Sequence, residues 1–253
     1  MASFSDGTIV RGRVDGTEIT DVLVKGVEGR PGWGMDLDDG DGYLFVAGGF
    51  SGTARIYDAN IGTLEAEITL ADAGIVNDVI VTSDAAYFTN SSLPEIYEIP
   101  IDNNGNVDGE VRVIPLSGDF QFDAEYFANA NGIDYAGDGV LIVNHSFLGK
   151  MYAIDMATGI ATEIDLGGET VSNDGIVLDG LTLYGVEAPE NRVAELKLSD
   201  DLSEASVVRR FSHDIFNFPT LIALDDSYVY VVNGKLTTER SPAVPYEVIR
   251  LPR

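Results

Sequence analysis

The chain has 253 residues, of which 42 are acidic and 15 basic, so that its formal net charge is −27. A surface of this sign repels phosphate backbones and anionic membranes, which excludes nucleic acid and membranes as expected partners. No stretch reaches the ~18–20 apolar residues that a membrane helix requires, and no apolar segment typical of a signal peptide follows Met1. We therefore expect a cytoplasmic chain, or an exported one whose signal has been removed.

The absence of cysteine and the scarcity of histidine restrict the chemistry further. With no Cys and two His there is no disulfide framework, no thiolate nucleophile and little from which to build a soft-metal site. No G-x-S-x-G motif occurs, which argues against a serine hydrolase. The glycines at 48–52 lack a following helical pattern and predict a turn rather than a phosphate loop.

In chain order, residues 7–26 come first and predict two outer strands of a blade. Five similar cassettes follow, and each has a small or polar opening, a short apolar strand, an Asp/Gly turn and further strands. The cassettes begin at Trp33, Asn77, Asn131, Asn173 and Pro219. Their spacing of roughly 42–54 residues is that of four-stranded propeller blades. We predict an all-β protein, a single β-propeller domain over residues 1–253.

The number of blades is open at this stage. The ring is a six-bladed propeller whose first blade is incomplete, or it has five blades and residues 7–26 complete the last sheet. In the last cassette, residues 246–251 predict the third strand.

The polar openings of the cassettes carry the functional prediction. In a propeller the first strand of each blade lines the central channel, so equivalent positions converge although they are far apart in sequence. Alignment of the cassettes places Asn77, Asn131 and Asp174 at equivalent positions. Amide and carboxylate oxygens suit Ca²⁺ or Mg²⁺. The alternative is that these residues form Asx-turns at the strand starts.

Four segments resemble the SMP-30/gluconolactonase/LRE-like family of six-bladed propellers: VNDVIVTSDAAYFTNS, NGIDYAGDGVLIVNHS, NDGIVLDGLTLYGVEA and PYEVIRLPR. The resemblance implies a divalent cation, Ca²⁺ or else Mg²⁺, Mn²⁺ or Zn²⁺, at the channel mouth. Asn131 and Asp174 match the family's metal-binding Asn and Asp, and Asn77 matches an Asn that binds metal or substrate. The family's glutamate ligand lies in a first-blade strand that this chain lacks. Export signals in similar proteins favour secretion over the cytoplasm.

The resemblance also implies a reaction, the hydrolysis of a lactone or related ester on a small-molecule substrate. Asp174 is the predicted catalytic base, and we prefer it to Asp78, whose side chain strand alternation turns away. The predicted substrate contacts are Asn77, Trp33, His213 and Thr220. The alternative function is a non-catalytic propeller that binds a small molecule or a protein partner.

Overall fold

The computed structural model describes residues 1–14, 19–38, 42–102, 104–239 and 246–253. All regular secondary structure in these ranges is β-strand. None of the described residues forms a helix of the length and apolarity needed to cross a membrane. Contacts within the chain divide it into two compact units, unit 1 from Met1 to Leu116 and unit 2 from Ser117 to Arg253.

Unit 1 contains a two-stranded sheet and two four-stranded antiparallel sheets, each built from strands that are consecutive in the chain. Its strands are β1 (Ile9–Gly12), β2 (Ile19–Val24), β3 (Met35–Leu37), β4 (Tyr43–Ala47), β5 (Thr53–Asp58), β6 (Leu64–Thr69), β7 (Val76–Val81), β8 (Ala85–Asn90), β9 (Glu95–Pro100) and β10 (Arg112–Pro115).

Unit 2 contains three further sheets, with five, four and three described strands, which are antiparallel meanders except that β11 adds to β15 in parallel. Its strands are β11 (Ser117–Gly118), β12 (Ala130–Gly137), β13 (Val140–His145), β14 (Lys150–Asp155), β15 (Ile160–Glu163), β16 (Asn173–Asp179), β17 (Thr182–Glu187), β18 (Arg192–Leu198), β19 (Ala205–Phe211), β20 (Pro219–Leu224), β21 (Tyr228–Asn233) and β22 (Val248–Pro252).

The burial of the strands follows from their composition. The second strand of a sheet is flanked on both sides and is mostly apolar, as in β8, where every residue is buried, including the polar Thr89 and Asn90 at its end. An outer strand such as β6 alternates between exposed and partly buried residues, because one face meets solvent. The apolar cores lie between neighbouring sheets of a unit, where β12, β16 and β20 run beside one another in unit 2 and β3 runs beside β7 in unit 1.

The predicted cassettes correspond to the observed sheets. Each of the five cassettes forms one blade-like sheet, and β22 is the third strand of the last one, as predicted. The described residues therefore show five blades, which is the second of the two predicted counts. Residues 7–26 contribute β1 and β2, which pair with each other in a sheet of their own. The prediction that they complete the last sheet is therefore wrong for the described residues, in which that sheet consists of β20, β21 and β22.

Candidate functional site

A β-bulge at the start of the first strand recurs in four of the sheets. In each, the first ladder pair is followed by a shift in register before regular pairing resumes three residues later. The first ladder pairs are Val76 with Asn90, Ala130 with His145, Asn173 with Glu187 and Pro219 with Asn233. The residues that follow them, inside the bulges, are Asn77, Asn131, Asp174 and Thr220. The register thus places the predicted residues at equivalent positions, in a feature that natural sheets use to redirect side chains near functional sites.

Asn131 and Asp174 contact each other in unit 2. Asn131 is buried, its Nδ2 donates to Ser146 Oγ at 2.8 Å, and the side-chain amide also hydrogen-bonds the carboxyl group of Asp174. Asp174 is half-buried, and loss of hydration of its carboxyl group raises its pKa to about 7, a rise that the Asn131 hydrogen bond opposes only in part. A carboxyl group that titrates near neutral pH can accept and return a proton, which is a common property of functional sites.

Three further polar residues complete a cradle around this pair, which we call the Asp174 cradle: Ser146, Asn144 and Asn173. The Asn144 amide donates to the backbone oxygen of Asn173 at 2.6 Å, and the Ser146 hydroxyl donates to the same oxygen. Asn144 and Asn173 are fully buried, yet Oδ1 of Asn144 and both side-chain polar atoms of Asn173 have no hydrogen-bond partner. The Asn173 side chain packs against Gly185 of β17, where a Cβ would lie 2.3 Å from its Oδ1, so Asn173 joins the cradle through its backbone oxygen. Oδ1 of Asn144 is costly to bury without a partner, and a bound ligand, ion or water would remove that cost.

Gly132 allows the two strands of the cradle to approach each other. A Cβ at this position would lie 2.5 Å from the Asp174 carbonyl oxygen and 2.7 Å from Asn144 Oδ1. Only a residue without a side chain fits here, so the Gly of the Asn131-Gly132 pair serves close strand packing. The sequence pattern Asn-Gly therefore has a structural reason besides a turn.

The corresponding position of unit 1 holds Asn77. Its Nδ2 donates to Ser91 Oγ at 2.7 Å, and its backbone oxygen accepts the Gly34 N–H at 2.9 Å. The neighbouring Asp78 is buried, and a Cβ on Gly34 would lie 2.1 Å from its Oδ1. The Asp78 side chain thus lies against Gly34, just before β3. Asn77 and Asp78 belong to unit 1, whereas the Asp174 cradle belongs to unit 2.

Trp33 lies one residue before Gly34 in an aromatic cluster. Its ring stacks on Phe4 with centroids 4.6 Å apart and meets Phe50 edge-on at 5.2 Å. Phe50 is 57% exposed and Trp33 is half-buried. A Cβ on Gly49, which has a φ of 55°, would lie 2.3 Å from Trp33 Nε1, so the ring packs directly on that backbone. Trp33 is thus both a packing residue and part of an open surface.

Of the other predicted substrate contacts, Thr220 lies beside β16, the strand that carries Asp174, and His213 lies in a separate turn. Thr220 is half-buried, and its carbonyl oxygen would lie 3.1 Å from a Cβ on Gly175, the residue after Asp174. His213 is exposed, its Nδ1 accepts the Ile215 N–H at 3.3 Å, and its ring lies 6.2 Å from Phe216. These contacts of His213 stay within its own turn.

Sequence reasoning missed the polar residues that end the second strand of four sheets. They are Asn90, His145, Glu187 and Asn233, and all four are buried. A polar residue at the end of an otherwise apolar strand is the signal that could have identified them. Their contacts indicate a structural role. Asn90 accepts hydrogen bonds from three backbone N–H groups, and Asn233 accepts one from the backbone N–H of Asn217 and donates one to the backbone oxygen of Ile215.

Glu187 and His145 are the titratable members of this set. The Glu187 side chain is 2% exposed, and its Oε2 lies 2.6 Å from Arg192 Nε and 3.0 Å from Arg210 Nε. Burial lowers the pKa of His145, whose Nδ1 accepts the Leu148 N–H at 3.3 Å. Burial therefore favours the neutral form of His145, while Glu187 forms a buried ion pair with two arginines.

The described residues contain no group of three or more His, Asp or Glu side chains that could hold a metal ion. The donors that the Asp174 cradle does offer are oxygens: one carboxylate, side-chain amides and a hydroxyl. Oxygen donors suit Ca²⁺ and Mg²⁺ in kind, while a single carboxylate corresponds to weak binding, since affinity rises with the number of charged ligands.

No family model matches the chain, and no curated protein matches it. Several solved structures are similar to the chain. A protein of unknown function from Bacteroides caccae has a TM-score of 0.68 at 12% identity, with 99% of this chain and 87% of that one covered. A structure of a nidogen/laminin complex has a TM-score of 0.64 at 14% identity, with 92% and 83% covered.

A third similar structure is a catalytically inactive virginiamycin B lyase from Staphylococcus aureus, with quinupristin, at a TM-score of 0.58 and 14% identity. The match covers 85% of this chain and 66% of the lyase. The neighbours are β-propeller proteins, and identities of this size show the fold alone. The chain is accordingly an all-β propeller protein with blades of small antiparallel sheets.

Proposed function

We propose that the protein hydrolyses a lactone or a related ester at the Asp174 cradle. The observation that carries the proposal is the carboxyl group of Asp174, whose pKa is raised to about 7. It lies in the bulge of β16, hydrogen-bonded by Asn131 and beside Asn144, whose unpartnered Oδ1 could accept a hydrogen bond from a bound ligand. The resemblance of the cassettes to SMP-30/gluconolactonase-like propellers supports the same substrate class.

The chain's own residues account for the proton movements of such a reaction. Ionised Asp174 accepts a proton from water as the water oxygen bonds to the carbonyl carbon of the lactone. The protonated carboxyl group then returns that proton to the ring oxygen as the C–O bond breaks, which leaves a hydroxy acid. Asn131 orients the carboxyl group through its hydrogen bond. A pKa near the working pH suits a group that must act first as base and then as acid.

A divalent cation, when bound, would polarise the carbonyl group and lower the pKa of water. Asp174 and Asn131 would hold it, because they bring a carboxylate and an amide oxygen together. The other predicted contacts remain predictions: Asn77 as a ligand or substrate contact, and Trp33, His213 and Thr220 as substrate contacts.

The test is hydrolysis of small neutral lactones, followed by proton release with an indicator dye. We expect Asp174→Asn to reduce kcat/KM by about 100-fold or more, the usual contribution of a general base. Asp200→Asn is the matched control, because it removes one carboxylate from an exposed turn of the same unit. The assay is run after chelator treatment and again with millimolar Ca²⁺, Mg²⁺, Mn²⁺ or Zn²⁺.

Equal activity of the two variants would remove Asp174 from the mechanism. No hydrolysis by the wild-type chain under any of these conditions would reject the enzyme proposal and favour the alternative, a propeller that binds a small molecule or a protein. Propellers with such roles exist among the structural neighbours, since one match comes from a nidogen/laminin complex.

A further inference from the structure

An aromatic stack lies next to the Asp174 cradle in unit 2. The rings of Tyr126 and Phe147 are parallel within 3°, with centroids 5.0 Å apart. Phe147 is 57% exposed, and on the same loop as Tyr126 the side chains of Phe122 and Phe127 are 38% and 50% exposed. Three exposed phenylalanines on this loop and the neighbouring turn favour a binding surface over an ordinary solvated loop.

The loop that carries Tyr126 is held in place by a buried amide. Asn129 is fully buried, and its Oδ1 accepts the Asp123 N–H at 2.9 Å. Its Nδ2 donates to the backbone oxygens of Asp123 and Tyr126 at 3.1 Å and 3.0 Å. The Tyr126 ring also meets the buried His145 ring edge-on at 6.0 Å. The stack is therefore fixed before any ligand arrives, which lowers the entropy lost on binding.

The position of the stack connects it to the cradle. Phe147 follows Ser146, whose hydroxyl accepts the Asn131 amide at 2.8 Å. Ala130 pairs with His145 at the end of the sheet, so the turn that carries Phe147 emerges at the same end as Asn131. A ligand whose polar group occupies the cradle thus has its remaining part within reach of the aromatic rings.

The charge around the stack restricts the ligand further. Residues 117–129 contain three acidic side chains, Asp119, Asp123 and Glu125, and no Lys or Arg. An anionic substituent would be repelled at this surface. The carboxylate product of lactone hydrolysis would be repelled as well, which favours its release.

We propose, on the basis of the function proposed above, that the Tyr126–Phe147 stack selects neutral lactones or esters that carry an aryl group. The aryl ring lies against Phe147 while the carbonyl group occupies the Asp174 cradle. Contact between two aromatic rings strengthens binding beyond the effect of the area they bury. The acidic loop excludes substrates with a negatively charged substituent.

The experiment compares kcat/KM for γ-butyrolactone, its γ-phenyl derivative and its γ-carboxylate derivative. In the wild type we expect the phenyl compound to be preferred over the unsubstituted one by about tenfold, the limit of such a contact, and the carboxylate to be the poorest. Phe147→Ala is expected to remove that preference while leaving the unsubstituted lactone within about twofold, and Phe147→Tyr to retain it. Val208→Ala, which shortens another exposed apolar side chain at 58% exposure, is expected to change none of the three values.

A non-hydrolysable analogue, 5-phenyl-2-pyrrolidinone, separates this inference from the proposed function. Its binding is measured by calorimetry with the wild type, Phe147→Ala and Phe147→Tyr. Binding that depends on an aromatic residue at position 147, without hydrolysis of any lactone, would reject the enzyme and retain the aryl-binding surface. Hydrolysis of all lactones with no phenyl preference, or with a preference that Phe147→Ala leaves intact, would overturn the inference and retain the enzyme. If the analogue does not bind and no lactone is hydrolysed, both the aryl-binding surface and the proposed enzyme activity are overturned.

Discussion

Asp174 makes the stability of the cation-free chain depend on pH. Its pKa is about 7 in the folded chain, against the ordinary value of 3.8 for an aspartate side chain. The stabilising contribution of the protonated form is fully present below about pH 4 and is lost as the pH rises through about 7. We predict that the free energy of unfolding, measured with urea in chelator, decreases less in Asp174→Asn than in the wild type between about pH 5 and about pH 8. Equal pH dependence in the two chains would show that Asp174 titrates normally.

The sequence identified Asn131 and Asp174 because a polar residue at the start of an apolar strand is visible in one dimension. It did not identify Ser146 and Asn144, although both contact the same cradle. Ser146 and Asn144 reach the cradle only because the end of β13 lies beside the start of β16, and this arrangement follows from the register of the sheet. The Tyr126–Phe147 stack was missed for a similar reason, since a loop residue and a turn residue meet only after the chain has folded.

At the scale of the strands, a carboxylate links neighbouring sheets within each unit. In unit 2, Asp134 on β12 is 9% exposed and its Oδ2 accepts the Leu178 N–H of β16 at 2.6 Å. In unit 1, Asp36 on β3 accepts the Val81 N–H of β7 at 2.8 Å in the same way. First strands of adjacent blades do not share a ladder, so these side chains satisfy backbone groups that would otherwise lack a partner.

We predict that Asp134→Ala lowers the free energy of unfolding by about 1–3 kcal/mol, because it leaves the Leu178 N–H unpaired. Asp134→Asn keeps an acceptor oxygen of nearly the same shape and is expected to cost less than the alanine variant. Urea unfolding measures both changes, and amide hydrogen exchange at Leu178 reports the contact directly. If exchange at Leu178 is equally slow in the alanine variant, the carboxylate does not hold the two strands together.

The strands themselves were largely predictable, because β-branched and aromatic runs between Asp/Gly turns give a local signal. The blade of β7–β10 illustrates this, since its second strand, which begins Ala-Ala-Tyr-Phe, is buried throughout. β11 was not predictable. It has two residues and pairs in parallel with β15, more than forty positions later, so its pairing is determined by tertiary contacts alone. The bulges in the first strands also escaped detection, because a shift in register has no sequence signature of its own.

For the whole molecule, charge is the dominant electrostatic property. With 42 acidic and 15 basic residues, repulsions among exposed carboxylates outnumber the ion pairs that salt would weaken. Screening has a range of about 10 Å at 0.1 M salt. We predict that the melting temperature rises when NaCl is increased from about 0.01 M to about 0.5 M, measured by circular dichroism in chelator. A decrease would show that ion pairs outweigh the net repulsion.

Because salt alone is expected to stabilise the chain, a specific cation effect must be measured at constant ionic strength. A ligand at a hundredfold excess over its Kd adds about 2.7 kcal/mol to the stability of the folded state, or about 5–10 °C in a chain of this size. We predict that millimolar Ca²⁺ or Mg²⁺ raises the melting temperature of the wild type above that of the NaCl control, and that Asp174→Ala loses this increment while Asp200→Ala keeps it. If the increase in melting temperature survives in both variants, the cations bind to the acidic surface. If the wild type shows no increase, the Asp174 cradle does not bind the cation, and the Asp174 carboxyl group remains the proposed base without it.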